Sequence, residues 1–211
     1  MKIAIVHDYI KEFGGAERVL KALCEIYPDA PIYTAFCDKN STAYKHFKSK
    51  KIITSWFQYV PFAVRLFSPL RFLTPLIWGS FYFSKYDVVI SSASWYVTKG
   101  FGSRQNLNPK SKIQNPKLPI EVCYCHAPPR WLYGYNTSVN FQKYLPVKIY
   151  AVIVGHFLRI YDFKQAQKVN YFIANSKEVA GRIKRFYRRD PIVIYPPISL
   201  PLTNSNFQKL D

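Results

Sequence analysis

The apolar positions of this chain change period several times, and each change marks an element. "KIAIV" (2–6) is a short β-branched run without polar interruption, the pattern of a strand covered on both faces. His7-Asp8 follows, then a loop holding Gly14-Gly15. From Ala16 the period becomes helical. Val19, Leu20, Leu23, Ile26 and Tyr27 recur on one face, and Pro28 ends the pattern. The same grammar repeats down the chain. "PIYTAF" (31–36), "KIITSW" (51–56), "YDVVISS" (86–92), "IEVCYC" (120–125), "VNYFIAN" (169–175) and "PIVIYPP" (191–197) all read as strands. Asn175, with Glu178 three residues on, has capping-box spacing and predicts a second helix. That helix gathers Val179, Ile183, Phe186 and Tyr187 on one face, with Arg182, Lys184, Arg185, Arg188 and Arg189 over the rest. Apolar strands alternating with helices predict an α/β fold: Rossmann-like, doubly wound, with a mostly parallel sheet.

Two stretches break the alternation. Gln58–Phe83 is aromatic and basic, interrupted by Pro61, Pro69 and Pro75. It reads as two short amphipathic helices, lying either in a membrane interface or against the sheet or another domain. Gly102–Pro119 is polar, holds three prolines, and reads as a surface loop. After Ile198 no period remains, and residues 199–211 resemble a linker. The longest uncharged runs, Ile52–Val64 and Phe72–Ser84, are thirteen residues each. A spanning helix needs about 20.

Charge sharpens this picture. Of 211 residues, 30 are Lys or Arg and 12 are Asp or Glu, a net +18. No acidic residue lies between Asp38 and Asp87, whereas Lys39, Lys45, Lys48, Lys50, Lys51, Arg65, Arg71 and Lys85 do. Such a field attracts nucleic acid, anionic lipid or phosphorylated ligands. No RNA-binding or helix-turn-helix signature accompanies it. The cysteines are Cys24, Cys37, Cys123 and Cys125. Cys123 and Cys125 share one face of a strand. Cys24 falls in the first helix and Cys37 at a strand end, and there is no C-x-x-C pair, so a zinc shell is not indicated and no metal is expected. The apolar run after Met1-Lys2 is too short for a signal peptide, so a reducing cytoplasm with free thiols is the expectation.

The candidate chemistry gathers at strand ends. Gly14-Gly15 before a helix start allows close backbone approach to an anion, and the helix N-terminus offers N–H groups and a positive dipole end. His7-Asp8 and His126 each follow a strand, at the sheet edge where parallel α/β proteins bind ligands. Each is also compatible with a satisfied structural role. In "CYCHAPPRWLYGY" (123–135), Pro128 and Pro129 restrict the turn and are expected to hold Arg130 and Trp131 over the cleft.

These pieces resemble, in order, the N-terminal half of the retaining GT-B glycosyltransferases of family 4, particularly mannosyltransferase-like members of bacterial lipopolysaccharide and exopolysaccharide pathways. The resemblance rests on "VHDYIKEFGGAERVL" (6–20), "YDVVISSASWYVTKG" (86–100), "CYCHAPPRWLYGY" (123–135), "LRIYDFKQAQKVNYFIANSKEVAGRIKRFY" (158–187) and "VIYPPI" (193–198). It implies that Gly14 and Gly15, with Asp8, form the loop by the donor diphosphate and the acceptor. It implies that His126 is the catalytic-site histidine near the transferred sugar. Arg130 and Lys99 are implied to bind acceptor or phosphate, Lys99 with Gly100 matching the family's KG pair. The implied reaction moves a hexosyl group, mannosyl among the candidates, from a nucleotide diphosphate sugar to a lipid-linked glycan, with retention and no cofactor. The implied setting is the cytoplasmic face of an anionic membrane, without specific nucleic acid. In the family a second Rossmann-like domain holds the donor through an Arg/Lys pair and a Glu-x7-Glu motif. Residues 1–198 match the first domain only. The expectation is that the donor-binding domain is absent, the chain being truncated or split with a separate chain as one candidate source of that domain, so that this chain alone has little activity. A complete non-catalytic binding module and a basic nucleic-acid-binding protein are the alternatives.

Overall fold

All seven apolar runs pair into a single parallel sheet. The computed structural model describes residues 1–94, 96–102, 118–135 and 144–198. The strands are β1 (Ile3–His7), β2 (Ile32–Thr34), β3 (Ile52–Thr54), β4 (Val88–Ala93), β5 (Ile120–Cys125), β6 (Tyr171–Ala174) and β7 (Ile192–Val193). Their order is β3-β2-β1-β4-β5-β6-β7, with every neighbouring pair parallel. The chain winds one way from β1 to β3 and the other way from β4 to β7. This is the doubly wound, Rossmann-like arrangement, with its switch point between β1 and β4.

Alternation along the strands divides the core. Ala4, Val6, Tyr33 and Val89 face one side, where Phe57, Ile77, Trp78, Phe81, Phe83 and Phe101 cover them. Ile5 and Ile32 face the other side, under Leu20 and Cys24 of helix α1 (Gly15–Ile26) and Ala43 and Phe47 of α2 (Thr42–Phe47). Cys123 and Cys125 share a third cluster with Phe172 and Ala174. All four cysteines are buried free thiols.

Several expectations need correction. The prolines of Gln58–Phe83 cut it into more pieces than two helices. They are 3-10 turns at Trp56–Tyr59 and Pro69–Leu73, with short helices α3 (Ala63–Leu66) and α4 (Thr74–Gly79). These pieces pack on the sheet through Phe57, Ala63, Ile77 and Trp78. Ile26, assigned to the buried face of α1, is 64% exposed. The second predicted helix is α6 (Lys177–Tyr187). Its cap is Ser176, whose Oγ accepts the Val179 N–H at 3.2 Å, and not Asn175. The longest helix, α5 (Leu145–Ala166), has no counterpart in the periodicity, because it is apolar on two sides. Leu158 faces the core, while Ile149, Val152, Ile153, Phe157 and Ile160 are exposed. No helix among the described residues is long and apolar enough to cross a membrane. Residues 103–117 of the expected polar loop, and the tail 199–211, lie outside the described residues.

Candidate functional site

The strand register brings the motif ends together. His7 pairs in register with Ser92, and Ala93 with Cys125. His126 follows immediately, its N–H donating to the Ala93 carbonyl at 2.8 Å. Asn175 closes the row, its N–H 3.4 Å from the Cys125 carbonyl. Above this edge opens a cleft of about 450 Å³. Its walls are Gly15, Ala16 and Arg18 of α1, Ser94 after β4, the turn His126–Pro128 with Arg130, and Asn175, Pro196 and Pro197.

One wall suits an anion. Helix α1 starts at Gly15, where the first-turn N–H groups have no intrahelical acceptors. The Gly14 N–H is the exception, donating to Glu17 Oε2 at 2.9 Å. A Cβ on Gly14 would sit 3.2 Å from that oxygen, a tight contact that favours glycine here. The exposed cations Arg18 and Arg130 face the same space. Arg130 opens a 3-10 turn, Arg130–Leu132, and α5 fixes the turn from behind. Arg159 Nε donates to the Leu132 carbonyl at 2.8 Å, and the Leu132 side chain packs on Leu158.

The opposite wall is a neutral ring. His126 Nε2 lies 2.9 Å from Ser92 Oγ, and Ser92 Oγ lies 3.0 Å from His7 Nδ1. His7 Nε2 reaches Glu17 Oε1 at 3.4 Å. Burial of the ring, and then the nearby His7, lower the His126 pKa to about 3. The ring is therefore uncharged throughout the physiological range. Burial raises the Glu17 pKa, but the hydrogen bonds from His7 and the Gly14 N–H outweigh it. The net shift is downward, and the carboxylate is ionised.

The sequence-derived residues divide accordingly. Gly15, His126 and Arg130 line the cleft, and Gly14 adjoins it as the α1 cap. Asp8 is buried, accepting a hydrogen bond from the Thr98 hydroxyl and lying 3.4 Å from the Tyr96 N–H. It braces the loop after β4 and does not line the cleft. Lys99 is also buried, in an ion pair of 2.5 Å with Asp162 of α5. Burial lowers its pKa, Asp162 raises it more, and the ammonium stays charged. Lys99 borders a different hollow, of about 240 Å³, with Trp78, Tyr161 and Gln165. Trp131 turns away from the cleft and stacks under the Arg71 guanidinium at 4.3 Å.

The KG pair thus has a structural role. Gly100 has φ +89°, and a Cβ there would meet Gln165 Oε1 at 2.1 Å. Its N–H and those of Phe101 and Gly102 all donate to the buried Glu121 carboxylate, which also accepts from Ser91 Oγ at 2.8 Å. Burial raises the Glu121 pKa, and these four donors oppose the rise. Glu17, Arg18 and Ser92 were not singled out in the sequence. Helical spacing from Gly14 marks the first two, whereas Ser92 becomes visible only once β4 is in register with β1.

No family model and no curated protein matches the chain. Among solved structures, it is similar to the crystal structure of Anabaena HepE in complex with UDP. The identity is 14% and the TM-score 0.48, over 94% of this chain and 45% of that one. The chain thus spans less than half the length of that protein.

Proposed function

We propose that the chain is the acceptor-side domain of a retaining, family 4-type glycosyltransferase. In this reading it moves a hexosyl group, mannosyl among the candidates, from a nucleotide diphosphate sugar to a lipid-linked glycan in cell-surface polysaccharide synthesis. The observation that carries the reading is the two-walled cleft at the switch-point edge. A helix N-terminus with Arg18 and Arg130 suits the diphosphate, and the uncharged His126 ring suits a sugar hydroxyl. Retaining transfer develops negative charge on the leaving diphosphate, and preorganised cations and N–H groups are what lower that barrier. No metal or other cofactor has a part in this chemistry.

The family pattern places most donor contacts on a second Rossmann-like domain, so the domain described needs such a partner, in the same polypeptide or another. The acceptor's membrane is supported by exposed apolar side chains. Ile149, Val152, Ile153, Phe157 and Ile160 form a stripe along α5. Tyr59, Phe62 and Leu76 stand out from the helical pieces that precede β4. A basic, apolar surface of this kind suits peripheral attachment to the anionic cytoplasmic face.

The test is transfer of radiolabelled sugar to a polyprenyl-linked acceptor, with and without a donor-binding domain. The purified chain alone gives little or no turnover, and the two domains together give robust turnover. Full turnover by the chain alone contradicts the two-domain reading. Duplex DNA binding stronger than binding to anionic vesicles would favour a nucleic-acid-binding protein instead.

A further inference from the structure

The hydrogen bonds beneath His126 form a series whose direction can be worked out from one end. The Gly14 N–H can only donate, so Glu17 Oε2 accepts. An ionised carboxylate is an acceptor only. The proton between Glu17 Oε1 and His7 therefore sits on His7 Nε2. In its neutral form His7 carries a single N–H, so its Nδ1 is then an acceptor and the Ser92 hydroxyl gives it its proton. Ser92 Oγ then has only acceptor capacity left towards His126, and His126 Nε2 must carry the ring proton. His7 and Ser92 are fully buried, so solvent does not interrupt the series. His126 lines the cleft, and its ring Nδ1 has no hydrogen-bond partner among the described residues.

We propose that Glu17, acting through a neutral His7 and Ser92, fixes His126 in the Nε2–H tautomer, so that the cleft presents Nδ1 as a hydrogen-bond acceptor for a ligand hydroxyl. Glu17, His7 and Ser92 are then positioning residues. The fixed acceptor sorts the ligand's groups between the two walls. A phosphate oxygen is itself an acceptor and finds no donor at His126, while Arg18, Arg130 and the α1 N-terminus offer donors. A hydroxyl finds its acceptor at His126. That the hydroxyl belongs to a sugar rests on the glycosyl-transfer reading. The tautomer does not.

Glu17→Gln makes the inference sharp. The Gly14 N–H requires an acceptor, so the amide oxygen of the new side chain must face it. The amide NH₂ then faces His7 Nε2, which must accept, and every proton in the series reverses. His126 would become the Nδ1–H tautomer. Ser92→Ala cuts the series and leaves the His126 ring free to exchange between tautomers.

The experiment is a long-range proton–nitrogen spectrum of the whole chain with labelled histidine, at a pH of about 8, above the ordinary imidazole range. The protein has 4 histidines, and single substitutions assign them. The expected results are the Nε2–H pattern for His126 in the wild type, Nδ1–H in Glu17→Gln, and an averaged pattern in Ser92→Ala. A wild-type His126 with Nδ1–H, or with both nitrogens protonated, overturns the proposal. So does an unchanged, single Nε2–H tautomer in either variant. Should Glu17→Gln fail to fold, the wild type and Ser92→Ala still decide. In the two-domain transfer assay, both variants lose on the order of tenfold, the scale of one uncharged hydrogen bond. A fixed tautomer without any sugar transfer would refute the glycosyl-transfer reading alone. Transfer that depends on Glu17 with no change of tautomer would refute this inference alone.

Discussion

His126 meets the cleft as a neutral ring, and that neutrality has a measurable cost in acid. Its pKa in the folded protein is about 3, below the imidazole value of about 6.5 in an unfolded chain. Between those values the unfolded state binds a proton that the native state does not. Stability therefore rises with pH through this window, is fully present above about 6.5, and is lost as pH falls. The slope from this one group approaches about 1.4 kcal/mol per pH unit. Chemical denaturation at a series of pH values should show the slope in the wild type and a shallower one in His126→Ala. Identical slopes would mean that the ring protonates freely when folded. On the opposite wall, Arg130→Ala and Arg18→Ala should each weaken nucleoside diphosphate binding by about tenfold, as expected for a charge-assisted hydrogen bond. Calorimetric titration of the two-domain protein reads this directly, and undiminished affinity in both variants would remove the anion wall.

At the scale of elements, α5 is the strut that joins the KG pair to the Arg130 turn. Asp162 pairs with Lys99 and accepts from the Tyr133 hydroxyl at 2.7 Å, while Arg159 holds the Leu132 carbonyl. Asp162→Ala leaves the Lys99 ammonium buried without its counter-charge, which should cost roughly 3–5 kcal/mol. A denaturant midpoint shifted by much less would show that Lys99 escapes to solvent. Much of this architecture is legible in the sequence. The strands stand out because parallel strands inside a sheet are short, largely apolar runs, and α1 and α6 because each shows a single apolar face. Helix α5 does not stand out, because Leu158 on its core side and Ile153 and Phe157 on its outer side blur any period. In the site, Gly15, His126 and Arg130 follow from their places beside strand and helix ends. The burial of Asp8 and Lys99 does not follow, since it depends on Thr98 and Asp162, partners about ninety and sixty residues away in sequence. The Glu17–His7–Ser92–His126 series needs the β1–β4 register and is invisible without it.

At the scale of the whole molecule, the proposed function asks the cleft to hold a soluble anion and the apolar surface to meet an amphiphilic partner. The exposed stripe on α5 should carry the membrane attachment. Phe157 is 67% exposed, so Phe157→Gln removes apolar area without adding charge or disturbing the core. Binding to anionic vesicles should fall by about tenfold, the worth of burying one large apolar side chain, with an unchanged melting temperature. Cosedimentation equal to wild type would assign the stripe to another partner. The central claim, glycosyl transfer at the His126 cleft, is tested most directly in membranes of the source cell. The chain is deleted and replaced by wild type or His126→Ala, and radiolabelled sugar incorporated from its nucleotide donor into lipid-linked glycan is measured. Deletion should abolish one labelled species, wild type should restore it, and His126→Ala should accumulate to the wild-type level without restoring it. Labelling that survives deletion, or full restoration by His126→Ala, would contradict the claim.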